Sequence, residues 1–268
     1  MTLSIIIVSY NTKELLGDCL KSIFQNQGSV NLEVIVVDNA SVDGSVNFIK
    51  ENFPNIKLIA SKDNLGFGKA NNRGSKIAKG DILLFLNPDT IIEKNIFSKL
   101  VDIFSKDKNI GIVSPQLILP DHSQQLWAYG EEDKFYDLIK NKIFPQSKKF
   151  IRCVSGNQIE TGWVSGAALS IRKDIFEKIK GFDENFFMYF EDRDLCYRAK
   201  DLGSKVVVNN DIQVIHFGGK TPIFNRDRKK IYYQAQNYYW RKRYGLWNSF
   251  LMRFIRWPYK FFVLCIKK

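Results

Sequence analysis

Apolar runs alternate with amphipathic stretches along the first third of the chain. SIIIVSY (4–10) is a near-continuous β-branched run, the pattern of a central strand in a parallel sheet. Residues 12–25 then place Leu15, Leu16, Cys19, Leu20, Ile23 and Phe24 at helical spacing. LEVIVVDN (32–39) predicts a second strand ending in Asp38, followed by SVDGSVNFIKENF, which opens with a helix-capping pattern. IKLIA (56–60) reads as a short third strand, LGFGKANNRGSKIAKG (65–80) as a loop passing into a helix, and DILLFLN (81–87) as a fourth strand. This alternation predicts a doubly wound α/β half, in which ligands collect beyond the carboxyl ends of the strands. Tyr10, Asp38 and Asp89 all fall at or just past such ends.

Beyond residue 110 the pattern loosens. GIVSPQLIL and TGWVSGAALSI are the clearest strands of the middle region, and KVVVNNDIQVIHF (205–217) is strand-rich. Residues 121–160 carry few pattern cues and read as a variable insertion, a candidate flap over the substrate. IYYQAQNYYWRKRYG (231–245) predicts a helix with a terminal glycine stop. After it, Leu246, Phe250, Leu251, Phe254 and Ile255 recur along one face with cations between them. The apolar stretches there are far shorter than the roughly 18 residues of a spanning helix. Tryptophans and cations around an apolar face predict a helix lying in a bilayer interface, kinked or divided at Pro258.

Charge sharpens that division. The net charge is +12, and of 40 Lys and Arg, thirteen lie at or after Lys220, against the single acid Asp227. Residues 1–219 carry 27 charges of each sign, so a neutral body precedes a basic tail. We therefore expect a body over 1–219, with a nucleotide-binding half to about 110 and an acceptor-binding half after it, and a membrane-associating tail over 220–268. The anionic partner expected for the tail is a membrane surface rather than nucleic acid. The N-terminus does not resemble a secretory signal, and four dispersed cysteines without a CxxC pair suit a reducing compartment. The expected location is cytoplasmic, peripheral on the inner face of the cell membrane.

Several polar positions carry candidate chemistry. Asp38 could accept a hydrogen bond from a pyrimidine N3–H, with Tyr10 beside the base, or it could cap the next helix while Tyr10 packs. Asp89, in NPDT (87–90), could hold a divalent cation bridging a diphosphate, or Asn-Pro-Asp could be a plain turn. In FDENFFMYFEDRDLCYR (182–198), Glu191, Asp192 and Asp194 sit among aromatic residues, where carboxylates are expensive to desolvate. Asp192 suits a general base or a helix cap. His216 could ligate metal or be structural. The turn after the first strand has no GxGxxG, and no GxxxxGK[ST] occurs, so Rossmann and P-loop readings fail.

Taken in order, SIIIVSYN, VIVVDNAS, NLGFGKANNRG, GDILLFLNPDT, GWVSGAALSIRK, GFDENFFMYFEDRDLCYR and HFGG resemble inverting glycosyltransferase family 2, over about residues 3–245. NLGF, LNPD and FFMYFEDRDLC together look most like its bacterial rhamnosyltransferase-type branch. The resemblance implies the GT-A fold: α/β, a central mostly parallel sheet flanked by helices, here with a C-terminal amphipathic helical tail. It also implies a nucleotide-diphosphate sugar donor, dTDP- or UDP-linked, often dTDP-L-rhamnose in that branch, and a saccharide or lipid-linked acceptor in cell-surface polysaccharide synthesis. By position, Ser9, Tyr10 and Asp38 would meet the nucleotide, with Asn64 and Gly66 near it. LNPD stands where the family has DxD, so Asp89 would bind Mg²⁺ or Mn²⁺ with Asn87 in place of the first aspartate and His216 as a further candidate ligand. Gly166 and Ala167 would flank the donor sugar, and Asp192 would be the base, with Glu191 as neighbour and fallback. The rival readings are a sugar nucleotidyltransferase, which would normally show a glycine-rich phosphate loop after the first strand, and a non-catalytic carbohydrate- or nucleotide-binding protein, which would have no need of the Asp89 and Asp192 pair.

Overall fold

The computed structural model describes residues 1–132, 152–155, 157–218 and 225–265. Half of the 121–160 insertion therefore lies outside the described residues. The first half runs β1 (Leu3–Ser9), α1 (Lys13–Gln25), β2 (Leu32–Asp38), α2 (Ser45–Asn52), β3 (Lys57–Ala60), α3 (Phe67–Ile77) and β4 (Ile82–Leu86). It continues through β5 (Thr90–Ile91), α4 (Phe97–Lys106) and β6 (Ile110–Ile118). After β7 (Tyr129–Gly130) come β8 (Arg152–Ser155), β9 (Gln158–Glu160), β10 (Trp163–Val164), β11 (Ala168–Arg172) and α5 (Lys173–Lys178). The chain closes with α6 (Glu191–Asp201), β12 (Lys205–His216) and α7 (Asn225–Cys265).

One sheet holds the order β3-β2-β1-β4-β11-β6-β12-β9-β8, with β5 paired to β12. Strands β3, β2, β1 and β4 are parallel, β11 runs antiparallel between β4 and β6, and β6 pairs β12 in parallel. The β-branched run of β1 is buried on both faces, which is why it showed no alternation. Leu3, Ile5 and Ile7 join one core with Leu16, Leu20 and Ile23 of α1, whereas Ile6 joins the opposite core with Ala70 of α3.

Two sequence expectations need correction. TGWVSGAALSI is not one strand but two, because Ser165–Ala167 turns away: the Asn87 N–H donates to the Ala167 carbonyl, and the Gly166 N–H to Asp192. The tail helix is not divided at Pro258, where the backbone stays helical; the break falls at Gly245, with φ 84° and ψ 175°. A proline's fixed φ is itself helical, whereas a residue without Cβ can leave the helical region altogether.

α7 does not hang free before Gly245. Ala235, Tyr239 and Trp240 bury against Phe186, Phe190 and Tyr197 in a third, aromatic core. Lys242 Nζ lies 2.6 Å from both Asp183 and Asp194, and Arg243 pairs with Asp201 and Glu132. No helix among the described residues is long and apolar enough to cross a membrane.

Candidate active site

The strand ends and the α6 N-terminus enclose a cavity of about 540 Å³. Tyr10, Asn64, Gly66, Asn87, Asp89, Gly166, Ala167, Glu191, Asp192 and His216 all line it. The two distant acids, Asp89 and Asp192, therefore share one cavity. Ser9 and Asp38 are not in the lining. Ser9 Oγ pairs with Thr12 Oγ1 at 3.0 Å in the interior. Asp38 is 1% exposed; its Oδ2 accepts the Ser41 N–H at 3.0 Å, while its Oδ1 has no partner. A buried carboxylate oxygen left unpaired costs on the order of 1–3 kcal/mol unless something supplies a donor.

On the strand-end side, the loops after β1 and β2 are laced together. Asn11 takes φ 50°, its N–H donates to Ser41 Oγ, and its Oδ1 accepts from Val42. Asn39 clamps the following loop by donating to Asn64 Oδ1 and the Gly66 carbonyl and accepting the Leu65 N–H. Gly66 has φ 78°, and a Cβ there would meet the Phe187 carbonyl oxygen at 2.2 Å. Only glycine lets this loop approach the segment that carries the acids.

The Asn87–Asp89 turn is fixed from below. Thr90 Oγ1 donates to the Asn87 carbonyl at 2.7 Å, and the Cys19 thiol of α1 sits beneath both, its pKa pushed up to about 12 by burial. His216, at the end of β12, brings Nε2 within 3.3 Å of Asp89 Oδ1. Its Nδ1–H donates to Gln125 Oε1 at 3.0 Å, and the Asn87 amide approaches Nε2 at 3.4 Å. With Nδ1 turned to Gln125, Nε2 is the ring nitrogen that faces the Asp89 carboxylate, an N/O pair that a cation could bridge. Among the described residues no group of three or more His, Cys, Asp or Glu side chains could hold a metal ion, so at this place the described side chains Asp89 and His216 are one O and one N ligand of hard to borderline character.

The opposite wall is strained. Tyr189 and Phe190 take φ 72° and 69° in succession, immediately before α6. Left-handed backbone at bulky residues costs about 1–3 kcal/mol each and persists only where the surroundings impose it. Phe190 is held by Tyr232, Tyr239 and the Arg193 guanidinium, which itself lies 3.9 Å from the Trp163 ring centroid. The strain places Glu191 and Asp192 in the first turn of α6. Asp192 is not the residue before the helix; it accepts the Gly166 N–H at 3.0 Å and the Arg193 N–H at 2.8 Å. Burial raises its pKa against those hydrogen bonds and the Arg193 charge. Glu191 is 5% exposed with Oε2 unpartnered, and burial, then the Asp192 and Asp194 charges, raise its pKa well above the carboxylate range.

Several lining residues were not singled out from the sequence: Asn39, Trp127, Trp163, Arg193, Arg228 and Tyr232. Asn39 follows Asp38 directly and was within reach of the strand-end rule. The tail residues Arg228 and Tyr232 carried no local signal beyond the charge run around them.

Residues 4–179 match the family model of glycosyl transferase family 2. The chain belongs to glycosyltransferase family 2. This is an inverting family. The chain is 28% identical over 207 residues to the N-acetylglucosaminyl-diphospho-decaprenol L-rhamnosyltransferase of Mycobacterium tuberculosis, covering 69% of this chain and 66% of that one. It is 25% identical over 220 residues to the O-antigen chain rhamnosyltransferase WbaN of Salmonella anatum, covering 82% and 67%. The chain thus spans about two thirds of the length of these relatives. Among solved structures, GalNAc-T7 with UDP, GalNAc and Mn²⁺ superposes with a TM-score of 0.64 at 18% identity, over 90% of this chain and 51% of that one. The mannosyltransferase PcManGT from Pyrobaculum calidifontis, in complex with GDP-Man and Mn²⁺, gives 0.61 at 17%, over 90% and 63%. These likenesses establish the GT-A fold of this glycosyltransferase family 2 chain.

Proposed function

We propose that the protein transfers a sugar from a nucleotide-diphosphate donor, dTDP-L-rhamnose or a UDP-sugar, to a saccharide or lipid-linked saccharide of a cell-surface glycan. The observation that carries the reading is the single cavity in which Asp89 with His216 faces Asp192. Rhamnosyl transfer draws support from the mycobacterial and Salmonella relatives, both of them rhamnosyltransferases by name.

The donor base would stack near Tyr10, with the Asn39-clamped loop closing over it and the unpaired Asp38 oxygen as an acceptor behind it. Asp89 and His216, with Asn87 beside them, would hold Mg²⁺ or Mn²⁺, whose positive charge stabilises a departing diphosphate. Asp192 takes the proton from an acceptor hydroxyl as that oxygen attacks the anomeric carbon. The bond from that carbon to the diphosphate oxygen breaks as the new bond forms, and its electron pair leaves with the nucleoside diphosphate. One displacement from the opposite face inverts the centre. Backbone donors from Gly166 and Arg193 hold the carboxylate in place, and burial, by raising the Glu191 pKa, disfavours a second charge beside it.

The segment after Gly245 begins with Leu246, Trp247 and Phe250 at 62%, 87% and 61% exposure. With the basic residues of the tail it would rest on an anionic membrane surface, each Lys or Arg contributing about 1 kcal/mol. Incubating the purified protein with a panel of nucleotide-sugars and following nucleoside diphosphate release tests the reading; no release from any donor, with or without metal, would defeat it.

A further inference from the structure

Two residues of the cavity wall come from α7, Arg228 and Tyr232. The Tyr232 ring packs against Tyr189 at 5.5 Å and Phe190 at 5.3 Å. The Arg228 charge acts on the Tyr189 phenol, whose pKa burial raises and this cation lowers. A guanidinium and two phenol rings therefore gather around the strained Tyr189–Phe190 turn, next to Glu191 and Asp192. The nucleotide side of the cavity is built from other elements: the β1, β2 and β4 ends and the loop at Asn64–Gly66. Arg193 also lines the cavity, with its guanidinium carbon over the Trp163 ring, 3.9 Å from the centroid.

A neutral saccharide has no need of a guanidinium beside its attacking hydroxyl, whereas a phosphate does. Arginine's planar fork binds phosphate oxygens through paired charged hydrogen bonds, and tyrosine rings give a sugar a broad amphipathic surface. The direction of the helix bears on the same point. From Arg228, α7 leads across the aromatic core to Gly245 and then into the exposed Leu246, Trp247 and Phe250. The same helical segment thus carries Arg228 in the cavity wall and, past Gly245, exposed apolar residues that could take a hydrocarbon chain.

We propose that Arg228, with Tyr189 and Tyr232, binds the phosphate of the acceptor and so selects a saccharide joined through diphosphate to a long-chain alcohol. The assignment rests on the transferase reading above and adds to it the residues that discriminate the acceptor. Arg228 is a specificity residue, and the proton transfer remains with Asp192.

The test is equilibrium binding of two probes to the full chain in neutral detergent, with saturating UDP and Mg²⁺ filling the donor side. One probe is N-acetylglucosaminyl diphosphate esterified to an eleven-carbon alcohol; the other is the uncharged glycoside of the same sugar and alcohol. With no anionic lipid present, a headgroup site cannot account for the result. The native protein should prefer the diphosphate probe by about ten- to a hundredfold, the range of a charged hydrogen-bonded contact. Arg228→Gln should erase that preference and Arg228→Lys should keep part of it. A preference that survives Arg228→Gln, or an equal weakening of both probes, would overturn the assignment. Nucleoside diphosphate release by the native protein is scored separately. If it fails while Arg228-dependent selection persists, the transferase reading and the acceptor role fall together, and what stands is a phosphate contact at Arg228.

Discussion

The backbone N–H of Gly166 donates to Asp192 Oδ2 at 3.0 Å, tying the turn between β10 and β11 to the first turn of α6. A Cβ at Gly166 would also stand 3.5 Å from the Asp192 Cβ and 3.1 Å from the Phe67 ring. The proposed base is thus held by the same glycine that is proposed to flank the donor sugar, and its position is set from two sides.

The pH dependence follows from the buried acids. Asp192 serves as a base only when deprotonated, and burial raises its pKa. Turnover should therefore be lost as pH falls through an apparent pKa above the usual aspartate value of about 3.9, one that belongs to the Glu191–Asp192 pair. A pH–rate profile whose acid limb lies below that value would contradict the assignment.

Glu191 gives a stability prediction of opposite sense. Its folded pKa is raised, so the folded state keeps a proton that the unfolded chain releases. Stability should decline as pH rises from about 4.3 toward the folded value, and Glu191→Gln should flatten that slope in denaturant titrations. An unchanged slope would show that Glu191 is not held neutral.

Gly66→Ala should cost at least about 1–3 kcal/mol from backbone strain alone, since φ 78° with ψ −178° is open to glycine and little else. The added methyl also meets the Phe187 carbonyl, which accepts the Phe67 N–H at 2.8 Å. Chemical unfolding and nucleotide binding should both show the loss.

Gln125 orients His216 through Nδ1, so Gln125→Ala should raise the metal concentration for half-maximal activity by about 10–100-fold. Adding chelator to the native protein should abolish turnover, restored by Mn²⁺ or Mg²⁺. An unaltered metal response in the variant would remove His216 from the proposed site.

Lys242 bridges Asp183 and Asp194, locking α7 to the segment that carries the acids. Burial pushes the Asp183 carboxyl up, but hydrogen bonds from Lys242, Asn185 and Tyr238 outweigh it and hold its pKa at about 2. This clamp is complete above the unfolded aspartate value of about 3.9 and is lost as pH falls toward 2. Lys242→Ala should destabilise by about 1–3 kcal/mol and lower activity with it. Full activity in a chain cut before α7 would refute the coupling.

What was legible in the sequence was what local pattern controls. Strands β1, β2 and β4 are buried on both faces, so their apolar runs stood out, and of the residues expected at their ends Tyr10 and Asp89 line the cavity while Asp38 does not. Less legible was whatever depends on distant partners. The TGWVSGAALSI run is broken by hydrogen bonds to Asn87 and Asp192, which no local rule anticipates. His216 looked solitary until β12 carried it beside Asp89, 127 positions earlier in the chain. Arg228 and Tyr232 sat inside a basic run whose composition pointed to a membrane surface. Their placement in the cavity comes from aromatic packing of α7 on Phe190 and Tyr197.

The most direct measurement compares Asp192→Asn with the native protein for sugar transfer and for nucleoside diphosphate binding. Removing the base should lower kcat by about 10²–10⁴-fold while the dissociation constant for the nucleoside diphosphate with metal stays within about threefold, a difference near 0.65 kcal/mol. Transfer at close to the native rate, or loss of nucleotide binding in parallel with activity, would contradict the account.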